Sequence, residues 1–300
     1  LTHGHEDHLG AVPHVLEHFD LPVYGTRYTL GLLQDRLADK GSIGRVELHQ
    51  VRPGEQVEIG PFRFDFLRVT HSLPDAVSLA IRTPVGNLLF TGDFKIDDTL
   101  CDGTKMDEAG FRAFGDEGVL LMMSDSTNAT VSGWSRPEQE VSETLDRLIS
   151  EAPGRVIVGL FSSNAYRVKT VVESAVSAGR SVALMGRSLH RYARLVESHT
   201  DIAKVTPLLI DAKRIKDAGD QVVVLCTGAQ GESRAALARI ASDRHPHLRP
   251  RAGDTVLFSA RTIPGNELQV AEMRERFTRL GVRILCDRNE AAIHATGHAK

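Results

Sequence analysis

Six residues near the start of the chain constrain it most: His3-Gly4-His5-Glu6-Asp7-His8 puts three imidazoles and the Asp7 carboxylate into one short segment. Neutral imidazole nitrogen and carboxylate oxygen are ligands for zinc and related divalent ions, and alternate side chains of an extended segment can face different ions. The run therefore reads as part of a metal centre at a strand-to-helix turn, with a solvated histidine-rich loop as the plain alternative. Gly4 and Gly10 suit a tight turn and close helix packing.

The remaining composition is that of a globular chain. Its 300 residues, 41% hydrophobic and 25% charged, can bury a large core and form two lobes. A formal net charge of -3 provides no global positive field, so a polyanionic substrate would have to be held by local basic groups and metal ions. Cys101, Cys226 and Cys286 lie far apart with no C-x-x-C pairing, which suits a reducing cytosol. They read as buried small apolar residues. The sequence contains no long uncharged apolar run and no basic-then-apolar leader, so the expectation is a cytoplasmic protein with no membrane partner. A ligand motif begins two residues after Leu1 and another ends the sequence, so the chain reads as a fragment lacking its first strands and its last metal ligand.

Periodicity divides the chain in two. Residues 11–19 read as a short helix, 21–25 as a strand and 28–39 as a second helix stopped at Gly41. From 46 to 90 the pattern changes to short strands with period-two alternation, among them 62–67, 76–82 and 86–90. From Pro137 onward helices at 138–149, 166–178, 189–198, 234–241 and 266–280 alternate with strands at 155–161, 181–185, 221–226, 255–259 and 283–285. Such alternation with apolar, β-branched strands predicts an α/β lobe with a largely parallel sheet.

Two further residues extend the metal reading. His71 follows a strand, and Asp93 sits in Phe90-Thr91-Gly92-Asp93-Phe94 after another. A carboxylate bridging two ions about 4 Å apart gives a nucleophile at neutral pH and a clamp on a phosphoryl or acyl oxygen. The order H-x-H-x-D-H, then His71, then Asp93 resembles the metallo-β-lactamase superfamily, which implies an αββα sandwich, here partial. The resemblance implies that His3, His5 and His71 hold one ion, that Asp7 and His8 hold the other, and that Asp93 bridges them. It also implies one more histidine from a late loop, expected past Lys300.

The metal run alone fixes hydrolysis and leaves the substrate open. The long helix-strand insertion resembles the β-CASP nucleases, and a series of strings resembles the ribonuclease J family within them. These are Leu1 to His8, Thr91-Gly92-Asp93-Phe94-Lys95, Ser124-Asp125-Ser126-Thr127-Asn128-Ala129, Phe161-Ser162-Ser163-Asn164, Gly186-Arg187-Ser188, Cys226-Thr227-Gly228-Ala229-Gln230-Gly231-Glu232, Ile263-Pro264-Gly265-Asn266-Glu267 and His294-Ala295-Thr296-Gly297-His298-Ala299. They come in the family's order and span nearly the whole chain. The implied organisation is a metallo-β-lactamase domain over 1–136, a β-CASP domain over 137–292 and a return into the first domain over 293–300.

By the same resemblance Asp125 would orient a metal-bound histidine or the nucleophile, its plain alternative being a capping or turn aspartate. His298 would sit near the scissile phosphate and deliver a proton or stabilise charge, with Asp7 and Asp125 completing the catalytic set. His294, Thr296 and the Gly297 backbone would hold a neighbouring phosphate. Ser162, Ser163 and Asn164, and the loop from Gly228 to Gly231, follow strands of the α/β lobe, where short hydroxyls and backbone N–H groups can cradle phosphate. Either loop could equally be a plain β-to-α turn. Arg187 is a candidate phosphate fork. Tyr166 stands where the family often has His, and receives no catalytic role. Ala229, Ser233 and Arg234 also depart from the family's usual Ser and Pro-Met, outside the ligand set.

The implied protein is a metal-dependent ribonuclease with 5′-to-3′ exonuclease and endonuclease activity, using two divalent ions, zinc with manganese as the alternative. RNA is the expected partner, and the full-length protein is expected to be a homo-oligomer. A different metallo-β-lactamase-fold hydrolase of a small ester or lactam, a DNA-directed β-CASP nuclease, and a non-catalytic RNA-binding scaffold are the rival readings.

Overall fold

In the second half of the chain the sheet strands are apolar on both faces, and both faces are covered. The computed structural model describes residues 1–41, 44–200 and 206–300. They form two compact units, the first mainly Leu1–Ser135 with Gly297–Lys300, the second mainly Arg136–Glu197 with the segment up to Thr296.

In the second unit, helices α5 (Glu138–Glu151), α6 (Ala165–Ser177), α7 (Arg187–His199), α8 (Ala236–Ala241) and α9 (Glu267–Arg279) alternate with strands β8 (Val156–Gly159), β9 (Ser181–Met185), β10 (Val222–Cys226), β11 (Thr255–Phe258) and β12 (Arg283–Leu285). The five strands are all parallel, in the order β12-β11-β8-β10-β9. Alternate side chains serve opposite layers. Val156, Val158, Val223 and Leu225 pack against α5, α6 and α7, whereas Ile157, Val224, Val256 and Phe258 pack against α8 and α9. A strand such as Val222–Cys226 is buried throughout because helices lie on both sides. The continuous apolar runs in the sequence have this cause.

The first unit holds α1 (Glu6–Leu9), α2 (Val12–Val15), β1 (Val23–Thr26), α3 (Arg27–Asp39), β2 (Leu48–Val51), β3 (Gln56–Ile59), β4 (Phe62–Arg68), β5 (Val77–Thr83), β6 (Gly86–Phe90), α4 (Glu108–Asp116) and β7 (Leu121–Met123). Strands β3 to β7 form one sheet in chain order, antiparallel up to β6 and parallel between β6 and β7. Strands β1 and β2 form a separate parallel pair. Phe114 of α4 packs on Leu67, Ala80 and Leu89 of the sheet.

Three points differ from the sequence expectations. The helix expected over 11–19 is only the four residues Val12–Val15, and Phe19 beyond it is 61% exposed, so no core face extends it. Helix α4 is not among the expected elements, although Phe111 and Phe114 give it a short apolar face against the sheet. Cys226 and Cys286 are buried, but Cys101 is exposed because it sits in the turn after Leu100 instead of on a core strand. Among the described residues no helix is long and apolar enough to cross a membrane.

Candidate metal centre

Strand direction explains why residues far apart in sequence meet. Strand β4 runs antiparallel to β5, β5 antiparallel to β6, and β6 parallel to β7, so β4, β6 and β7 all end on one edge of the sheet. His71 follows β4, Asp93 follows β6 and Asp125 follows β7. The His3–His8 segment reaches the same edge, because the Thr2 carbonyl accepts a hydrogen bond of 3.0 Å from Val77 N at the start of β5. Gly92, at φ +58°, makes the turn that aims Asp93; a Cβ there would lie 2.9 Å from Thr2 Cβ.

Asp93 is the hub of the cluster. Its Oδ2 lies 3.3 Å from His8 Nε2, 3.6 Å from His3 Nε2 and 3.9 Å from both His71 Nε2 and His298 Nδ1. His8 Nε2 is also 3.5 Å from Asp7 Oδ2. Three groups of candidate ligand atoms, each within 4.8 Å of one another, share Asp93: His3 with His5 and His71, Asp7 with His8, and Asp125 with His298. All six residues expected to hold metal therefore converge, and Asp125 and His298 join them.

The hydrogen bonds around the rings prepare them as ligands. His71 Nδ1 is 2.7 Å from the Gly297 carbonyl oxygen, which can only accept, so Nδ1 carries the proton and the Nε2 lone pair faces the cluster. His71 Nε2 in turn lies 2.9 Å from His5 Nδ1, and Ser72 Oγ is 3.3 Å from His5 Nε2. His3 is fully buried, with Nδ1 3.1 Å from Thr2 Oγ1 and Nε2 without a hydrogen-bond partner. A buried, unpartnered imidazole nitrogen facing a carboxylate is costly unless something binds it. The donor set thus fits a divalent ion.

Electrostatics separate the rings into two kinds. Burial, with neighbouring histidines, lowers His5 and His71 to about 3 and pushes His3 down further still. These three are neutral at physiological pH, the state a ligand needs. His8 is raised by its hydrogen bond to Asp93. For His298, burial pulls downward, but the hydrogen bond and charge contact with Asp125 outweigh it and raise the ring. Asp125 is lowered well below the carboxylate range, its burial outweighed by His298 and by Thr127. It accepts from His298 Nδ1 at 2.8 Å, from Thr127 N at 2.9 Å and from Phe94 N at 3.3 Å, while its own N–H donates to Thr91 Oγ1 at 2.9 Å. Asp125 is therefore built around His298.

These shifts fix a pH dependence for the metal-free protein. His5 and His71 bind protons in the unfolded chain below about 6.5 but resist them in the folded state down to about 3, so stability falls as pH drops through that window. His8 and His298 have raised values, so what they add is complete below about 6.5 and is lost as pH rises through their folded values. The urea midpoint of chelator-treated protein is expected to peak near pH 6.5 and to decline on both sides. A midpoint still rising at pH 4 would show that His5 and His71 are not held neutral.

The other predicted site residues belong to the second unit. Ser162, Ser163 and Asn164 follow β8, Arg187 opens α7 after β9, and Gly228 to Gly231 follow β10, so all lie at the carboxyl edge of adjacent parallel strands. Arg187 is exposed, and the two serines are half-buried. Asn164 Oδ1 caps α6 by accepting from Arg167 N at 2.9 Å, so this side chain already has a structural task. Gly228, at φ +101°, leaves no room for a Cβ, which would lie 2.5 Å from Ala235 Cβ. His294 and Thr296 are half-buried, and His294 Nδ1 is 3.4 Å from Arg167 Nη1. Tyr166 is buried and packs in the core. Sequence reasoning misses Ser72 and Thr2 beside the rings, and the structural use of the Gly297 carbonyl. Their only signal is adjacency to a ligand.

Residues 1–119 match the metallo-β-lactamase superfamily, and residues 153–277 match the β-CASP domain of ribonuclease J. Fold and site together define a metallo-β-lactamase superfamily protein carrying a β-CASP domain, a class that implies divalent metal binding. Ribonuclease J of Sinorhizobium meliloti is 40% identical over 300 residues, which are 100% of this chain and 53% of that protein. Ribonuclease J of Thermus thermophilus is 40% identical over 307 residues, again 100% of this chain and 53% of the relative. The chain belongs to the ribonuclease J family. It spans about half the length of these curated relatives. A crystal structure of a protein of unknown function from Enterococcus faecalis shares the fold, with a TM-score of 0.63, 15% identity, and coverage of 99% of this chain and 69% of that one.

Proposed function

We propose that this chain is the catalytic part of a metal-dependent ribonuclease that hydrolyses RNA phosphodiester bonds. The observation that carries the reading is the position of Asp93, one carboxylate oxygen within 3.9 Å of four imidazole nitrogens, in a chain of the ribonuclease J family. His3, His5 and His71 would hold one divalent ion, Asp7 and His8 the second, with Asp93 between them. Zinc suits this nitrogen-rich set, and manganese is the alternative. Such a pair of ions supplies a hydroxide nucleophile at neutral pH and positive charge for the phosphoryl oxygens.

The remaining work falls to the chain's own groups. His298 is held through Nδ1 by Asp125, whose hydrogen bond and charge raise the ring's affinity for a proton. A proton delivered to the leaving oxygen would therefore come from Nε2. Ser162, Ser163, the Asn164 backbone, Arg187, the Gly228–Gly231 loop, His294 and Thr296 are proposed to hold RNA phosphates. We assign 1–136 and 293–300 to the metallo-β-lactamase domain and 137–292 to the β-CASP domain. In the full-length protein we expect both 5′-to-3′ exonuclease and endonuclease activity, a cytoplasmic location and a homo-oligomer.

The test is hydrolysis of 5′-monophosphorylated RNA, the matching DNA and a chromogenic lactam by the full-length protein and its Asp7→Ala variant. RNA cleavage lost in the variant is the expected result. Cleavage of the lactam alone, or RNA cleavage indifferent to Asp7→Ala, would sink the proposal.

A further inference from the structure

The second unit carries a basic surface on the edge of its sheet opposite the proposed phosphate loops. Those loops follow parallel strands, whereas residues 242–254 lead into β11 and so lie at the amino edge. Within a chain of net charge -3, residues 239–251, from the last turn of α8 onward, contain four arginines, two histidines and a single carboxylate, Asp243. Arg249 lies 3.7 Å from Asp243, and Arg251 pairs with Asp220. Arg239 and Arg244, both exposed, have no carboxylate partner among the described residues.

These arginines are not on a loose loop. Leu248 is buried in the core, Arg155 donates to the Arg249 carbonyl at 2.7 Å, and Asp254 accepts from Arg251 N at 2.9 Å. Pro246 and Pro250 fix two further backbone angles. The Arg239 guanidinium lies 3.5 Å from the Arg244 carbonyl, and the rings of His245 and His247 sit 5.9 Å apart beside it. Burial first, then Arg239 and His247, lower His245 to about 4, so its ring stands neutral beside the Arg239 guanidinium. Holding like charges together in a rigid frame costs stability, and a polyanion would relieve it.

We infer that this edge is a second binding surface for single-stranded RNA, with Arg239 and Arg244 on the phosphates and His245 and His247 beside the bases. The inference rests on the ribonuclease reading above. An acidic protein is the weaker occupant, because protein interfaces have an apolar centre and this edge has none: none of the exposed large apolar side chains falls within 239–251. Guanidinium forks and imidazole faces suit the alternation of phosphate and base along a strand.

The experiment uses full-length protein, a long single-stranded RNA and a hexanucleotide, with binding followed by fluorescence anisotropy in chelator over a series of salt concentrations. The double variant Arg239→Gln/Arg244→Gln is compared with a charge-matched control, Lys105→Gln/Arg112→Gln, made on the first unit. For single strands, every phosphate that a cation ceases to neutralise lowers the slope of log affinity against log salt by ~0.7. The double variant is therefore expected to show a slope shallower by about 1.4 for long RNA, and the control an unaltered one. Metal-loaded hexanucleotide cleavage should stay at the wild-type rate. An unchanged slope in the double variant, while wild-type protein still cleaves RNA, overturns this inference alone. Failure of wild-type protein to bind or cleave RNA overturns the ribonuclease reading and this inference with it.

Discussion

Asp93→Ala in the full-length protein is expected to abolish loading of the second divalent ion and to reduce RNA cleavage by about a thousandfold or more. The argument is geometric. Asp93 Oδ2 lies near imidazoles of all three candidate ligand groups, and among the described residues Asp93 is the side chain that these groups share. Removing it takes out a charge that neighbouring histidines hold ionised against burial, and it also removes the partner that raises His8. A drop of three decades in rate corresponds to roughly 4 kcal/mol of transition-state stabilisation at about 1.4 kcal/mol per decade. Asp93→Asn separates charge from shape, since the amide keeps the volume but is a weak ligand. Metal content by mass spectrometry and single-turnover cleavage are the two readouts. Full metal occupancy with near-normal cleavage in Asp93→Ala would remove Asp93 from the centre of the site.

The metal residues are legible in the sequence because their signal is chemical and local. Five ligand-type side chains in six residues, four of them expected ligands, have few structural explanations, and His71 and Asp93 each follow a short strand bounded by turn residues. The parallel sheet is equally legible, since β8, β9 and β10 are continuous apolar runs bounded by turn residues. What escapes is set by neighbours distant in sequence. Asp125 looks like a turn residue in its own segment, yet it is the partner of His298, which lies 173 positions away. Gly297 reads as a backbone ligand for phosphate, yet its carbonyl fixes the tautomer of His71 from 226 positions away. Cysteine usually lies in the core, but the turn that holds Cys101 leaves it exposed. Composition hides the basic edge as well, because a net charge of -3 averages over it.

Arg167 is the clearest case of a residue whose place in the fold no local pattern announces, and its replacement carries the second large expected effect. In Ala165-Tyr166-Arg167-Val168-Lys169 an arginine on a helix would ordinarily face water. Here it is 1% exposed and donates to both oxygens of Glu138 at 2.7 and 2.9 Å, and to Ser259 Oγ at 2.6 Å. Ser259 Oγ passes the chain on to the Ile293 carbonyl at 2.7 Å, so one guanidinium ties α5, α6, the end of β11 and the segment that leads to His294. Arg167→Met takes the guanidinium away from the buried Glu138 carboxylate, and breaking a buried pair on one side costs about 3–5 kcal/mol. For a unit of this size that corresponds to a drop of roughly 6–20 °C in Tm. Glu138→Leu combined with Arg167→Met removes both charges and is expected to recover much of the stability, because an apolar pair of similar volume needs no compensation. Urea midpoints and thermal scans of the two variants separate the cases. A destabilisation below about 1 kcal/mol in Arg167→Met would mean that water or a rearranged Ser259 takes over the Glu138 oxygens, and the network would then be a consequence of packing instead of one of its supports.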